Sequence, residues 1–415
     1  MRRVALKALM EIERGGNSSA VLERLLRKVK KRNTPFITEL VMGVLRWRNR
    51  LDYAISYFSN KRLNRIEPEV LNALRMGIYE IEKMNTPEYA AVKETVNLVR
   101  GSWRRAFVNG ILRNFIREQV RYPTKDEPLM FLTYTLSTPE WKALRWLEDF
   151  GIEKSEKLAL YYNSPPAIYL RVNRKKTSTE SLIRLLKREG IVVDKCKNLP
   201  FCLRVLKGNP RFTSALKNGL FYVQDIASQI AGFIASEIGN TVWDCCAAPG
   251  GKSSHLAEIG FKVFSSDISL PRLRLAISNF RRLGLEIHSF VADALRPSVR
   301  RKFPLILVDS PCSSMGIIHR APEVKWRIVP EKLKELSVLQ KRILKSVLRY
   351  GEKVLYVVCT QEPEETVNVL SDFNIEELPL PGDIKKIPFL EKEKILYTDP
   401  TEIYSDGMSY ALIAK

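Results

Sequence analysis

Two periodicities divide this chain. Up to about residue 120, apolar residues recur at i, i+3, i+4 spacing in "RRVALKALMEIE", "SSAVLERLLRKV", "PFITELVMGVLRWRNRLDYAISYF", "EPEVLNALRMGIYEIE" and "AAVKETVNLVR". That spacing predicts amphipathic helices, and breaks such as "RGGNSS" and "MNTPEY" carry the Gly, Asn, Ser and Pro that end them. From about residue 220 the pattern changes. Short apolar runs, "TVWDCC", "FKVFSSD", "IHSFVAD", "PLILVDS" and "KVLYVVC", alternate with helix-period segments. Such alternation predicts a doubly wound, mostly parallel sheet. The closing "TEIYSDGMSYALIAK" reads as an antiparallel edge hairpin. Between the two regions, residues 125–165 read as a linker with helices, one of them ended by Gly151. Residues 166–215 read as a small α+β module. The expected division is 1–124, 125–165, 166–215 and 216–415.

Charge sharpens the picture. The chain has 415 residues, 45% hydrophobic, with 68 Lys and Arg against 46 Asp and Glu, a net +22. Residues 1–120 hold 24 cations and 12 acids, so over half of the excess lies in under a third of the chain. The densest block is "RKVKKR", Arg27 to Arg32. A solvated helix end explains that block alone; the density of the whole segment favours an anionic partner, most simply RNA.

Six cysteines are too few for a disulfide scaffold, and His255, His288 and His319 are the only histidines. With no C-x-x-C and no H-E-x-x-H, a metal site is not expected. Lys7 and Glu11 interrupt the first apolar stretch, which argues against a signal peptide, and no run reaches the ~18 apolar residues of a membrane span. A reducing cytoplasm is the expected setting.

The candidate chemistry sits at strand ends. "DCCAAPGGKSSHLAE" follows the first strand of the last region, and its Pro249-Gly250-Gly251 turn lets a ligand approach the backbone. It matches neither G-x-G-x-x-G nor G-x-x-x-x-G-K-[ST], so a ligand without a pyrophosphate fits better. Asp267, Asp293 and Asp309 close the following strands, where an α/β sheet binds nucleoside-like ligands. One such Asp reads most simply as a cap; three around one Gly turn suggest a nucleoside-like cofactor. Cys312 stands three residues after Asp309, and Cys359 ends "EKVLYVVC". A lone strand-end cysteine is usually a small buried hydrophobe. Cys245 beside Cys246, and Cys196 with Cys202, are read that way.

Two resemblances add to this reading. "FITELVMGVLRWRNRLDYAI", "VLNALRMGIYEI", "PEYAAVKETVNLV" and "RAFVNGILRNF" resemble the RNA-binding NusB family. "DCCAAPGGKSSHLAE", "LILVDSPCSSMGIIHRAPEVKWR" and "YVVCTQEPEE" resemble motifs I, IV and VI of the RNA cytosine-C5 methyltransferases, which include the Fmu/RsmB and Nol1/Nop2/Sun proteins. Together they point to the Fmu/RsmB branch, which methylates 16S ribosomal RNA. The implied fold is an all-α NusB-like domain, a small α+β module and a Rossmann-like class I methyltransferase domain.

The resemblance further implies S-adenosyl-L-methionine lying against Cys246, Ala247, Ala248, Pro249, Gly250, Gly251 and Lys252. Asp267 would hold its ribose, Asp293 would lie near the adenine, and Asp309 would lie close to both cofactor and base. Cys359 would add to C6 of the cytosine and Cys312 would help release the product. Two departures from the family pattern stand out: Val357-Val358 replaces polar residues before Cys359, and "DGMS" replaces "DGFF". The basic and aromatic "HRAPEVKWR" after Cys312 is a candidate RNA contact or a solvated loop. The competing readings are a transfer-RNA methyltransferase with the same site and a non-catalytic RNA-binding assembly factor.

Overall fold

The helical stripes of the first region close on one apolar core. In the computed structural model, which describes every residue except Asn60, α1 (Arg2–Glu13), α2 (Ser18–Leu26), α3 (Thr34–Arg46), α4 (Arg48–Phe58), α5 (Pro68–Lys83), α6 (Glu88–Val96) and α7 (Ser102–Arg117) follow the predicted spacing. Leu9, Ile12, Ile37, Leu40, Leu51, Ile55, Leu74 and Leu112 fill the interior between them. Asn17 caps α2 by accepting from the Ala20 N–H. Gly43 lets α3 approach α5: a Cβ there would lie 2.0 Å from Cζ of Tyr79.

Part of this region's positive charge is paired internally with acids. Buried Arg75 donates to Asp52 (2.6 Å) and Glu13 (2.6 Å), Arg50 pairs with Glu82 (2.5 Å), and Arg2 pairs with buried Glu80 (2.5 Å). Arg27, Lys28, Lys30, Lys31 and Arg32 stay exposed.

The chain divides into two units. The first is Met1–Pro165 together with Ile318–Val329; the second is Pro166–Ile317 together with Pro330–Lys415. The first unit also holds the helix Glu140–Asn163, broken at Gly151 where φ is +70°. The returning segment Ile318–Val329 corrects one expectation, because most of "HRAPEVKWR" is neither solvated nor free for RNA. Lys325 is buried and donates to Arg46 O (2.9 Å) and Asn163 Oδ1 (2.7 Å). Trp326 Nε1 donates to Leu45 O (2.6 Å), Arg327 to Gly16 O (2.7 Å), and Glu323 accepts from the Ser18 N–H (2.9 Å). Burial, reinforced by Arg46, pushes the Lys325 ammonium well below its ordinary range. These groups satisfy helix-end carbonyls and amides, a demand that charge patterning does not reveal.

The second unit begins with a four-stranded antiparallel sheet. Strands β1 (Ile168–Val172), β2 (Val192–Lys195), β3 (Cys202–Lys207) and β4 (Phe221–Val223) run in the order β2-β3-β1-β4, with the helix Thr179–Arg188 between β1 and β2. Next come β5 (Thr241–Asp244), β6 (Lys262–Asp267), β7 (His288–Val291), β8 (Phe303–Asp309), β9 (Gly351–Val358), β10 (Asn374–Glu376), β11 (Phe389–Lys392), β12 (Ile395–Thr398) and β13 (Ser409–Ala414). They form a nine-stranded sheet ordered β11-β12-β13-β9-β8-β5-β6-β7, with β10 also on β13. The pairs β5–β6, β6–β7, β5–β8 and β8–β9 are parallel, as expected. The closing strand differs from the expected edge hairpin. β13 is antiparallel, yet it lies inside the sheet between β9 and β12. The β11–β12 hairpin carries the edge; its charged "LEKEKIL" hides the strand alternation.

Candidate active site

Strand order reverses between β5 and β8, and an α/β sheet opens its crevice at the carboxyl ends of strands flanking such a reversal. Every residue singled out for chemistry in this unit lies on that edge. Lys252, at the start of the helix Gly251–Glu258 that follows β5, reaches Asp309 at the end of β8: Nζ lies 2.7 Å from Oδ2. Burial alone would lower the Lys252 pKa, but Asp309 outweighs it and holds the ammonium above its ordinary value, with Cys359 adding to the effect.

The thiols meet beside this pair. β8 and β9 are parallel neighbours with Asp309 opposite Val357. Cys312 and Cys359 therefore lie with their Sγ atoms 3.0 Å apart. Cys359 Sγ also lies 3.5 Å from Ser314 Oγ. The hydrogen bond to Cys359 pushes the Cys312 thiol up, and burial and the Glu365 carboxylate push it further. Val357 and Val358 are buried in the sheet, paired with Tyr410 and Ser409. Polar contacts come instead from Ser314, and from Ser409, whose Oγ donates to Thr360 O (2.6 Å).

The turn 247–251 is built from the backbone outward. Ala247 N donates to Ser266 O (2.9 Å) and Gly250 N to Ala247 O (2.7 Å). Arg272 donates to Ala248 O (2.8 Å) and Asn279 to Pro249 O (3.1 Å). Gly250 has φ +95°, and a Cβ there would meet Phe280 at 2.6 Å, so only glycine fits. Asp267 is buried at the end of β6 and accepts from Ser269 N (2.9 Å) and, more loosely, from Ala248 N (3.3 Å). Asp293, half-buried, accepts from Leu295 N (2.9 Å) and so also caps its own turn. The glycine turn and the strand-end carboxylates line one crevice edge, a setting that fits a nucleoside carrying a sulfonium and offers no pyrophosphate cradle.

Several residues escaped the sequence reading. Asp244 ends β5 fully buried and accepts from Ser253 Oγ (2.5 Å), while its Oδ1 has no hydrogen-bond partner among the described residues. Burial raises its carboxyl to about 7, and Asp309 contributes in the same sense. Its position at the start of "DCCAAPGGKSSHLAE" was the available signal. Ser314 also lies beside Cys359, and Gln340 and Glu365 hold the backbone on either side of Cys312. Among the described residues no His, Cys, Asp and Glu cluster could hold a metal, and no helix is long and apolar enough to cross a membrane.

Comparison with known proteins decides the lineage. Residues 232–398 match the 16S rRNA methyltransferase RsmB/F family, 1–117 the NusB family, and 138–210 the ferredoxin-like domain of RsmF/B-like methyltransferases. The chain is 33% identical to the "Probable ribosomal RNA small subunit methyltransferase B" of Bacillus subtilis, covering 91% of this chain and 89% of that one. The chain belongs to the RsmB/F family of 16S rRNA methyltransferases. The "Ribosomal RNA small subunit methyltransferase B" of Pasteurella multocida is 31% identical, covering 100% of this chain and 96% of that one. The crystal structure of PH0851 shares the fold, with a TM-score of 0.83 at 23% identity, covering 100% of this chain and 98% of that one. Membership makes S-adenosyl-L-methionine the cofactor, in keeping with the crevice, and gives the expected three-part architecture.

Proposed function

We propose that the protein methylates C5 of a cytosine in 16S ribosomal RNA through a covalent adduct between Cys359 and C6 of the base. The observation that carries this is the pair of thiols 3.0 Å apart beside the Lys252–Asp309 ion pair.

Cytosine C5 is a weak nucleophile. Addition of the Cys359 thiolate forms an S–C6 bond and pushes the C5=C6 electrons through the ring, so that C5 becomes enamine-like. Lys252 places its ammonium near Cys359. Asp309 is half-buried and holds the N3/N4 edge of the base, where positive charge develops on protonation. The turn 247–251 would hold S-adenosyl-L-methionine, with Asp267 for its ribose and Asp293 for its adenine, and the cofactor when bound would supply an electrophilic methyl for C5.

Release needs the C5 proton removed. The C5–H electrons then re-form C5=C6, and the C6–S pair returns to Cys359. Cys312 takes that proton. The largest influence raising its pKa is the hydrogen bond to Cys359. Cys312 Sγ lies 3.0 Å from Cys359 Sγ, so its thiol stands beside the adduct at the step that needs a base. The target base must leave its stack to reach the crevice. Bisulfite mapping of 16S RNA with and without the enzyme tests the assignment: one newly protected cytosine is expected, and an unchanged map with methyl incorporated elsewhere would overturn it.

A further inference from the structure

The loop carrying Cys312 is held from both sides by two buried residues. Gln340, on the helix Pro330–Val347, donates through Nε2 to Pro311 O (2.9 Å) and to Glu365 Oε1 (2.8 Å). The same Oε1 accepts from the Ser313 N–H (2.8 Å). Glu365 is anchored in turn, since Tyr356 Oη donates to its main-chain oxygen (2.8 Å) from β9. The residues on either side of Cys312 are thus tied to one side-chain pair. Gln340, Glu365 and Tyr356 are essentially inaccessible to solvent.

This arrangement is costly as packing alone. The carboxyl group receives only neutral donors, and its Oε2 has no hydrogen-bond partner among the described residues. A buried carboxylate without a cation carries a desolvation penalty that a small apolar residue would avoid. What the pair provides is geometric. A backbone oxygen at 311 and a backbone N–H at 313 are fixed together, and the residue between them can turn its side chain in few directions.

We propose that Glu365 and Gln340 are positioning residues for Cys312, a clamp that keeps its thiol against Cys359 so that RNA is released from the covalent adduct. The inference rests on the adduct reading above. It assigns the clamp to release and leaves the attack on C6 to Cys359, whose main chain the pair does not hold. Weakening the clamp therefore slows the second half of the reaction selectively. Glu365→Gln keeps an oxygen that accepts from Ser313 N and Gln340, so it restores most of what Glu365→Ala loses. Gln340→Leu removes the link to Pro311 and keeps the helix intact.

The test uses full-length protein, a 16S RNA transcript and labelled S-adenosyl-L-methionine. For Glu365→Ala and Gln340→Leu the expected result is near-normal methyl incorporation in one turnover, multiple turnover slowed roughly tenfold or more, and a protein–RNA band on a denaturing gel. Glu365→Gln should show little of that band. Clamp variants that turn over normally without a band, or that lose single-turnover methylation as well, overturn the clamp. Cys312→Ala run in parallel separates the two claims. A band with Cys312→Ala and none with the clamp variants sinks the clamp alone; no band with Cys312→Ala sinks the adduct reading itself. If Glu365→Ala does not fold, Gln340→Leu still decides the matter.

Discussion

Two of the protein's thiol pairs have nearly equal spacing and very different character. Cys196 and Cys202 lie with Sγ atoms 2.9 Å apart, and Cys312 and Cys359 lie 3.0 Å apart. The first pair belongs to the hairpin between β2 and β3. Cys202 Sγ accepts from the Gln229 amide at 3.5 Å, and burial chiefly pushes the Cys202 thiol up. The second pair stands at the carboxyl ends of two parallel strands, next to an ion pair, the Ser314 hydroxyl and the Glu365–Gln340 clamp. Proximity of two thiols is thus not what makes a site. The neighbouring cation and the crevice at the strand reversal are what distinguish one pair from the other.

That contrast breaks most sharply at Cys359. Replacing it by Ala should abolish methyl transfer, a loss on the order of a thousandfold or more, as expected for removal of a nucleophile; labelled methyl incorporation into 16S RNA measures it. Lys252→Met comes next. It leaves Asp309 without its partner and removes the cation near Cys359, so the single-turnover rate should fall roughly ten- to a hundredfold. A rate within about twofold of the parent would show that the ion pair is not what activates this thiol pair. Asp267→Ala should weaken S-adenosylhomocysteine binding about tenfold, the worth of a charged hydrogen bond, and leave RNA affinity unchanged; titration calorimetry reads the first and a filter-binding assay the second.

The sequence exposed the site more fully than its supports. β8 and β9 announce themselves as continuous apolar runs, so Asp309, Cys312 and Cys359 could be assigned to one sheet edge, and the turn 247–251 could be read from its Pro and Gly. Side chains that act over long separations left no such trace. Gln340 lies on a helix whose apolar spacing explains its neighbours but not its hydrogen bonds. Asp244 was hidden because a strand-end Asp resembles any other until its burial is known. Charge counting gave the excess of the first region but not its placement, because Arg2, Arg50 and Arg75 are spent on internal carboxylates, which withdraws both signs together. Lys325 and Trp326 were misread for a different reason, since their N–H groups are spent on internal carbonyl and amide oxygens.

Asp244 offers a subtler probe of the second pair's surroundings. Its carboxyl is raised by burial from 3.8 to about 7. The folded state then holds the proton more tightly than the unfolded chain, so this residue lowers stability as pH rises from about 4 to about 7. Asp244→Asn should lack that contribution. The difference in melting temperature between variant and parent should grow in the variant's favour across the window, whereas a constant difference would place the carboxyl in a wetter environment. Smallest of all is the change expected at the other pair. Cys196→Ala should leave methylation within about twofold of the parent and alter stability by no more than about 1 kcal/mol, as for a half-buried thiol with no chemical task.

The most direct test of the proposed division of labour between Cys312 and Cys359 is a denaturing gel of each single variant after incubation with 16S RNA and S-adenosyl-L-methionine. Cys312→Ala should trap RNA on Cys359 and give a slow-migrating protein–RNA band. Cys359→Ala should give none. A band with Cys359→Ala and not with Cys312→Ala would reverse the two roles, and normal turnover by both variants would contradict the covalent mechanism altogether.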